Sequence, residues 1–117
     1  MSTSSIFRGD VVLVPFPFTD LAGSALRPAF VVSPTPIGQD VILAAISSVV
    51  RGDSYPTDCL VPSAHAEFAN TGLRVTSVVR LHKLVTVEEG VVVRRLGRFG
   101  PRLSAEVDRL LRVALGL

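Results

Sequence analysis

The chain has 117 residues, 48% apolar and 19% charged, a balance that fits one domain over residues 1–117 with a single core and excludes a disordered chain. A lone Cys59 excludes a disulfide scaffold. The lack of about 18 consecutive apolar residues argues against a membrane span, and the polar start broken by Arg8 and Asp10 argues against a secretory leader, so a cytoplasmic location is expected. The net charge of +2 is uneven: residues 1–73 carry three Arg against six acids, and residues 74–117 carry eight Arg and Lys83 against four acids. An Arg-rich second half suits a polyanion, because guanidinium grips phosphate with two parallel donors, although a merely solvated surface has the same composition.

Residues 10–18 (DVVLVPFPF) read as a strand. Pro15 and Pro17, two apart, lack donors on the same side, so that side is expected at a sheet edge or a bend. Residues 19–26 (TDLAGSAL) read as a loop. Pro28 holds Arg27 extended and opens a second strand through Ser33. Residues 40–49 (DVILAAISSV) form a third, mostly buried strand, and 58–61 a short fourth closed by Pro62. Residues 63–70 (SAHAEFAN) suit one or two helical turns. Residues 77–87 (SVVRLHKLVTV) are the clearest strand, and Glu88, Glu89 and Gly90 read as a turn into 91–99 (VVVRRLGRF), its expected hairpin partner.

The end of the chain is helical. Ser104 suits an N-cap, Glu106 favours the first turn, and Val107, Leu110, Leu111 and Ala114 follow i, i+3, i+4, i+7 spacing before Gly116. Five or six short strands followed by one helix predict a mainly β fold, a small curled antiparallel sheet or barrel with the helix packed on it. Phosphate-loop, dinucleotide and zinc-knuckle patterns are absent. Cys59, His65, Glu67 and His82 form no recognised ligand spacing, so neither a metal nor a cofactor is expected, and Cys59 beside Leu60 and Val61 reads as a small buried apolar residue.

Three segments carry a family resemblance. RGDVVLVPFPFTDLAGSALRPAFVVS from Arg8, AAISS from Ala44 and GLRVTSVVRL from Gly72, in this order and spacing, resemble the MazF/PemK toxin endoribonucleases over about residues 8–115. The resemblance implies an SH3-like barrel, a homodimer, and metal-independent cleavage of single-stranded RNA in which the 2′-hydroxyl attacks phosphorus. The products would be a 2′,3′-cyclic phosphate and a 5′-hydroxyl. It also implies a separate cognate antitoxin protein, with DNA contacted only indirectly through that antitoxin.

The resemblance further implies catalytic roles for Arg27, Ser47 and Arg80. Arg27 suits the charge gathering on the phosphoryl oxygens, and the Ser47 hydroxyl can bond the scissile phosphate or the 2′-OH. His82 stands where members similar to PemK carry an Asp, and it is the fourth catalytic candidate because imidazole serves as base or acid near neutrality. The family's loop His before Arg-Pro has no counterpart in residues 19–26. Thr19, Ser24, Ser48 and Arg74 are the expected substrate contacts. Two other readings compete. One is a non-catalytic protein binder on the same barrel, as the related gyrase poisons are; the other is a two-histidine ribonuclease built from His65 and His82.

Overall fold

The computed structural model describes residues 6–15, 25–50 and 54–117. Strands β1 (Asp10–Pro15), β2 (Leu26–Val31), β3 (Asp40–Ser47) and β4 (Asp58–Val61) precede the short helix α1 (Phe68–Thr71). Strands β5 (Ser77–Glu88) and β6 (Arg94–Arg98) and the C-terminal helix α2 (Pro101–Leu115) complete the chain. The strands form one antiparallel sheet in the order β4-β5-β3-β2-β1-β6. This is the expected mainly β, SH3-like class with a C-terminal helix.

Alternation along the strands buries both faces of the sheet. On one face Val11, Phe30, Ala44, Ile46, Val79 and Leu81 meet Leu103, Val107, Leu110 and Leu111 of α2. On the other, Val12, Val14, Ala29, Val31, Val41 and Leu43 pack together. Val107, Leu110 and Leu111 are the buried stripe that the helical spacing predicts, with Ala114 at its margin. No helix among the described residues is long and apolar enough to cross a membrane.

Four expectations are corrected. The strand over 94–98 is not the hairpin partner of β5: it crosses the molecule and pairs with β1. Charge accounts for the difference. The Asp10 carboxylate is 1% exposed, and it accepts Nη1 of Arg98 at 2.6 Å and Nε of Arg95 at 3.2 Å. A buried carboxylate needs such partners, and only β6 on the flank of β1 supplies both.

The side marked by Pro15 is not an edge, since β1 lies between β2 and β6; pairing with β6 runs only to Leu13, so Pro15 at the strand end costs no bond there. Pro17 lies outside the described residues. Pro28 lies inside β2, not at its start, in the stretch where β3 has not yet begun to pair.

The helix starts at Pro101, three residues before the expected cap Ser104. Its cap is remote. Glu67 accepts the N–H groups of Arg102 and Leu103, both at 2.9 Å, and Gly100 leaves the room, since a Cβ there would lie 2.6 Å from Glu67 Cδ. Burial disfavours the Glu67 charge, but those two N–H groups outweigh it and hold the carboxyl below its ordinary pKa.

Candidate active site

The site follows from strand register. Antiparallel pairing sets Ala29 opposite Ala45, and Arg27 and Ser47 each lie two residues along their strands from that pair. On the other side of β3, Ser47 pairs with Val78 and Ala45 with Arg80. Directly paired residues share a sheet face and residues two apart share it too, so Arg27, Ser47 and Arg80 project from one face although they lie 53 residues apart at the extremes. They stand at the start of β2, the end of β3 and the start of β5.

A cleft of about 670 Å³ opens there. Arg27, Ser47, Ser48, Arg74 and Arg80 all line it, over a floor that includes Ala45 and Ile46. Ser48, the first residue beyond the end of β3, lines the cleft beside Ser47. Thr19 and Ser24 lie outside the described residues. The opposite wall depends on glycine. Gly72 ends α1 at φ 77°, and a Cβ on it would lie 2.3 Å from the Leu96 carbonyl oxygen, so the segment carrying Leu73 and Arg74 sits directly on β6.

Lys83 and Arg94 also line the cleft. Strand alternation from Arg80 would turn Lys83 to the opposite face. The register jumps from Ala45 opposite Arg80 to Ala44 opposite Leu84, leaving Leu81, His82 and Lys83 without partners on β3. The jump resets the phase, so Leu81 and Leu84, three apart, both pack in the same core. Arg94 arrives because β6 pairs with β1, opposite Leu13. Neither position carries a signal in periodicity alone.

His82 is not among the lining residues. Its Nδ1 lies 2.8 Å from Thr57 Oγ1, and its ring meets the edge of Tyr55 with centroids 5.0 Å apart. His65 lies elsewhere and engages the Glu67 N–H through its own Nδ1. Neither histidine reaches the cleft, and the described lining holds five cations, three serines and no acid.

The electrostatics are lopsided. Among the described residues Arg27, Arg74, Lys83 and Arg94 form no ion pair, whereas Arg80 donates from Nη1 to Asp58 Oδ2 at 3.1 Å. Ser47 Oγ accepts the Val49 N–H at 3.0 Å, so its own proton remains available to a ligand oxygen. Among the described residues no group of three or more His, Cys, Asp or Glu side chains is arranged to hold a metal ion. Cys59 is buried, and burial first, then the charge of Glu106, pushes its thiol up to about 12, so it is an inert core residue.

A small curled sheet with a cation-ringed cleft at its strand ends defines a protein built to hold a polyanion. The chain belongs to the family of PemK-like, MazF-like toxins of type II toxin–antitoxin systems, whose sequence profile it matches over residues 7–115. It is similar in fold to an endoribonuclease from a mycobacterial species in complex with its cognate antitoxin, at 22% identity and a TM-score of 0.73, with 97% of each chain covered. It is equally similar to MazF from Deinococcus radiodurans, at 22% identity and TM-score 0.72, covering 98% of this chain and all of that one. The Mycobacterium tuberculosis toxin MazF-mt6 follows at 20% identity and TM-score 0.72, covering 92% of this chain and 97% of that one. At these identities the likeness is one of fold. No curated protein sequence matches the chain.

Proposed function

We propose that this toxin is a sequence-selective endoribonuclease that cuts single-stranded RNA in the cleft and is silenced by a separate antitoxin. The observation that carries the reading is the convergence of Arg27, Ser47 and Arg80 on a cleft whose described lining holds five cations and no acid. The reading includes cytoplasmic action, a homodimer that extends the shallow cleft into a groove, and DNA contact only through the antitoxin.

The chemistry asks for charge stabilisation above all. As the 2′-oxygen attacks phosphorus and the bond to the 5′-oxygen breaks, negative charge gathers on the phosphoryl oxygens. Arg27 and Arg80 supply permanently charged forks for those oxygens, and Ser47 donates one further hydrogen bond. The 2′-OH proton leaves to solvent base and the 5′-oxygen takes a proton from solvent, yielding a 2′,3′-cyclic phosphate and a 5′-hydroxyl. Arg74, Lys83 and Arg94 hold flanking phosphates, so RNA affinity should fall steeply with salt. Unpaired RNA is the substrate because its base edges are accessible, whereas the deep groove of an A-form duplex is closed to side chains.

One observation favours a second reading, a non-catalytic binder: among the described residues no imidazole or carboxylate lines the cleft. Incubating the purified protein with a long RNA in EDTA and sequencing the ends separates the two. The nuclease reading expects discrete cuts in unpaired regions, with cyclic-phosphate and 5′-hydroxyl ends. Intact RNA, metal-dependent cleavage, or 3′-hydroxyl and 5′-phosphate ends would overturn it.

A further inference from the structure

We infer that Asp58 is the positioning residue that orients Arg80 toward the RNA phosphate, an inference that rests on the nuclease reading. Asp58 and Arg80 are direct cross-strand neighbours on β4 and β5. The Asp58 side chain is 4% exposed, and its Oδ2 accepts both Arg80 Nη1 at 3.1 Å and the Tyr55 N–H at 3.0 Å. Its Oδ1 is buried and has no hydrogen-bond partner among the described residues. A carboxylate buried with one oxygen unanswered is expensive, and an apolar pair of similar volume is often at least as stable. The arrangement is therefore poorly explained by stability and well explained by orientation.

The consequence for Arg80 is specific. Its guanidinium has five N–H donors; one goes to Asp58 and one, from Nη2, to the Val49 carbonyl at 3.4 Å. Two anchors on different segments fix the plane of the fork, and three donors remain for a phosphate. The Asp58 charge also offsets the repulsion that Arg80 meets from the four cations around the cleft that form no ion pair among the described residues, so the fork stays in place before RNA arrives. Arg80 touches the substrate in this scheme; Asp58 acts only through Arg80.

The test compares Asp58→Asn, Arg80→Ala and the double variant in cleavage of one RNA, with Arg27→Ala as a control. Asp58→Asn keeps the shape and removes the charge. We expect kcat to fall about tenfold to a hundredfold, by the loss of one charge-assisted interaction, with KM within about threefold. In the double variant the loss should equal that of Arg80→Ala alone, because Asp58 has nothing left to orient. Millimolar guanidinium should partly rescue Arg80→Ala and fail to rescue the double variant, with both variants shown to melt cooperatively; if Asp58→Asn folds poorly, Asp58→Glu, which keeps the charge, should retain more kcat than Asp58→Asn at matched folded concentration. Additive losses, faster cleavage by Asp58→Asn, or rescue independent of Asp58 would overturn the inference. Cleavage lost in Arg27→Ala but retained in full by Asp58→Asn overturns this inference alone. An inactive wild type overturns the nuclease reading along with it.

Discussion

Two clusters of arginine meet at strand β6, and they differ in what surrounds them. Around Asp10 the guanidinium groups of Arg95 and Arg98 close on one buried carboxylate, while Arg8 pairs with Asp108 of α2. At the cleft Arg27, Arg74 and Arg94 meet no acid among the described residues. Arg94 and Arg95 are adjacent in sequence and fall on opposite sides of this division. Paired arginines fix the register of β6 against β1. Unpaired ones leave their charge to a ligand. The same residue type thus serves architecture or function according to whether the fold supplies its counter-charge.

Substitutions can break this contrast in graded ways. Arg95→Ala combined with Arg98→Ala leaves the Asp10 carboxylate buried and unpaired, which should cost about 3–5 kcal/mol in urea unfolding. Asp10→Asn should cost less, about 1–3 kcal/mol, because the two freed guanidinium groups are already half exposed and rehydrate. Equal losses would mean that packing, not charge, holds β6. At the cleft, Ser47→Ala removes a neutral donor and should slow cleavage about tenfold to a hundredfold without altering the unfolding midpoint. An unchanged rate would return Ser47 to the role its Val49 contact alone describes, a strand-end hydrogen bond.

A smaller effect concerns Glu67, the remote cap of α2. Its folded pKa is lowered by the N–H groups it accepts. A group held below its unfolded value contributes stability above that value and loses it as pH falls through the folded one. Glu67→Gln should therefore melt a few degrees lower than the wild type at neutral pH, and the gap should close on acidification below the ordinary value of 4.5. A gap independent of pH would show that the amide caps as well as the carboxylate and that something else was lost. The smallest effect expected is that of His82→Ala, within a few-fold of wild type, since the ring engages Tyr55 and Thr57 outside the cleft lining. A loss of about 10²–10⁴ with a missing limb near neutral pH would instead make His82 a proton-transfer group.

Much of this was legible before any coordinates. The short segment closed by Pro62 marks residues 58–61 as β4 to the residue, and helical spacing identifies the buried stripe of α2. Family resemblance singles out Arg27, Ser47, Ser48, Arg74 and Arg80, which the fold brings to one cleft. What the sequence hides is non-local. The partner of β6 is chosen by a carboxylate 84 positions before its first strand residue, and turn signals at Glu88–Gly90 point to the wrong neighbour. Lys83 reaches the cleft only through a register jump that alternation does not encode. The cap of α2 comes from Glu67, far upstream, so a local search settles on Ser104 instead.

The central claim is that cations left unpaired by the fold act on the RNA phosphate, and Arg27→Ala tests it most directly. Arg27 has no ion pair among the described residues and sits on an exposed strand start, so its loss should leave the circular dichroism spectrum and melting temperature unchanged. Cleavage of a long single-stranded RNA in EDTA, followed side by side with the wild type, should slow by about 10²–10³, near the upper end of that range because the lost donor carries full charge. A folded Arg27→Ala protein that cuts as fast as the wild type would contradict the account.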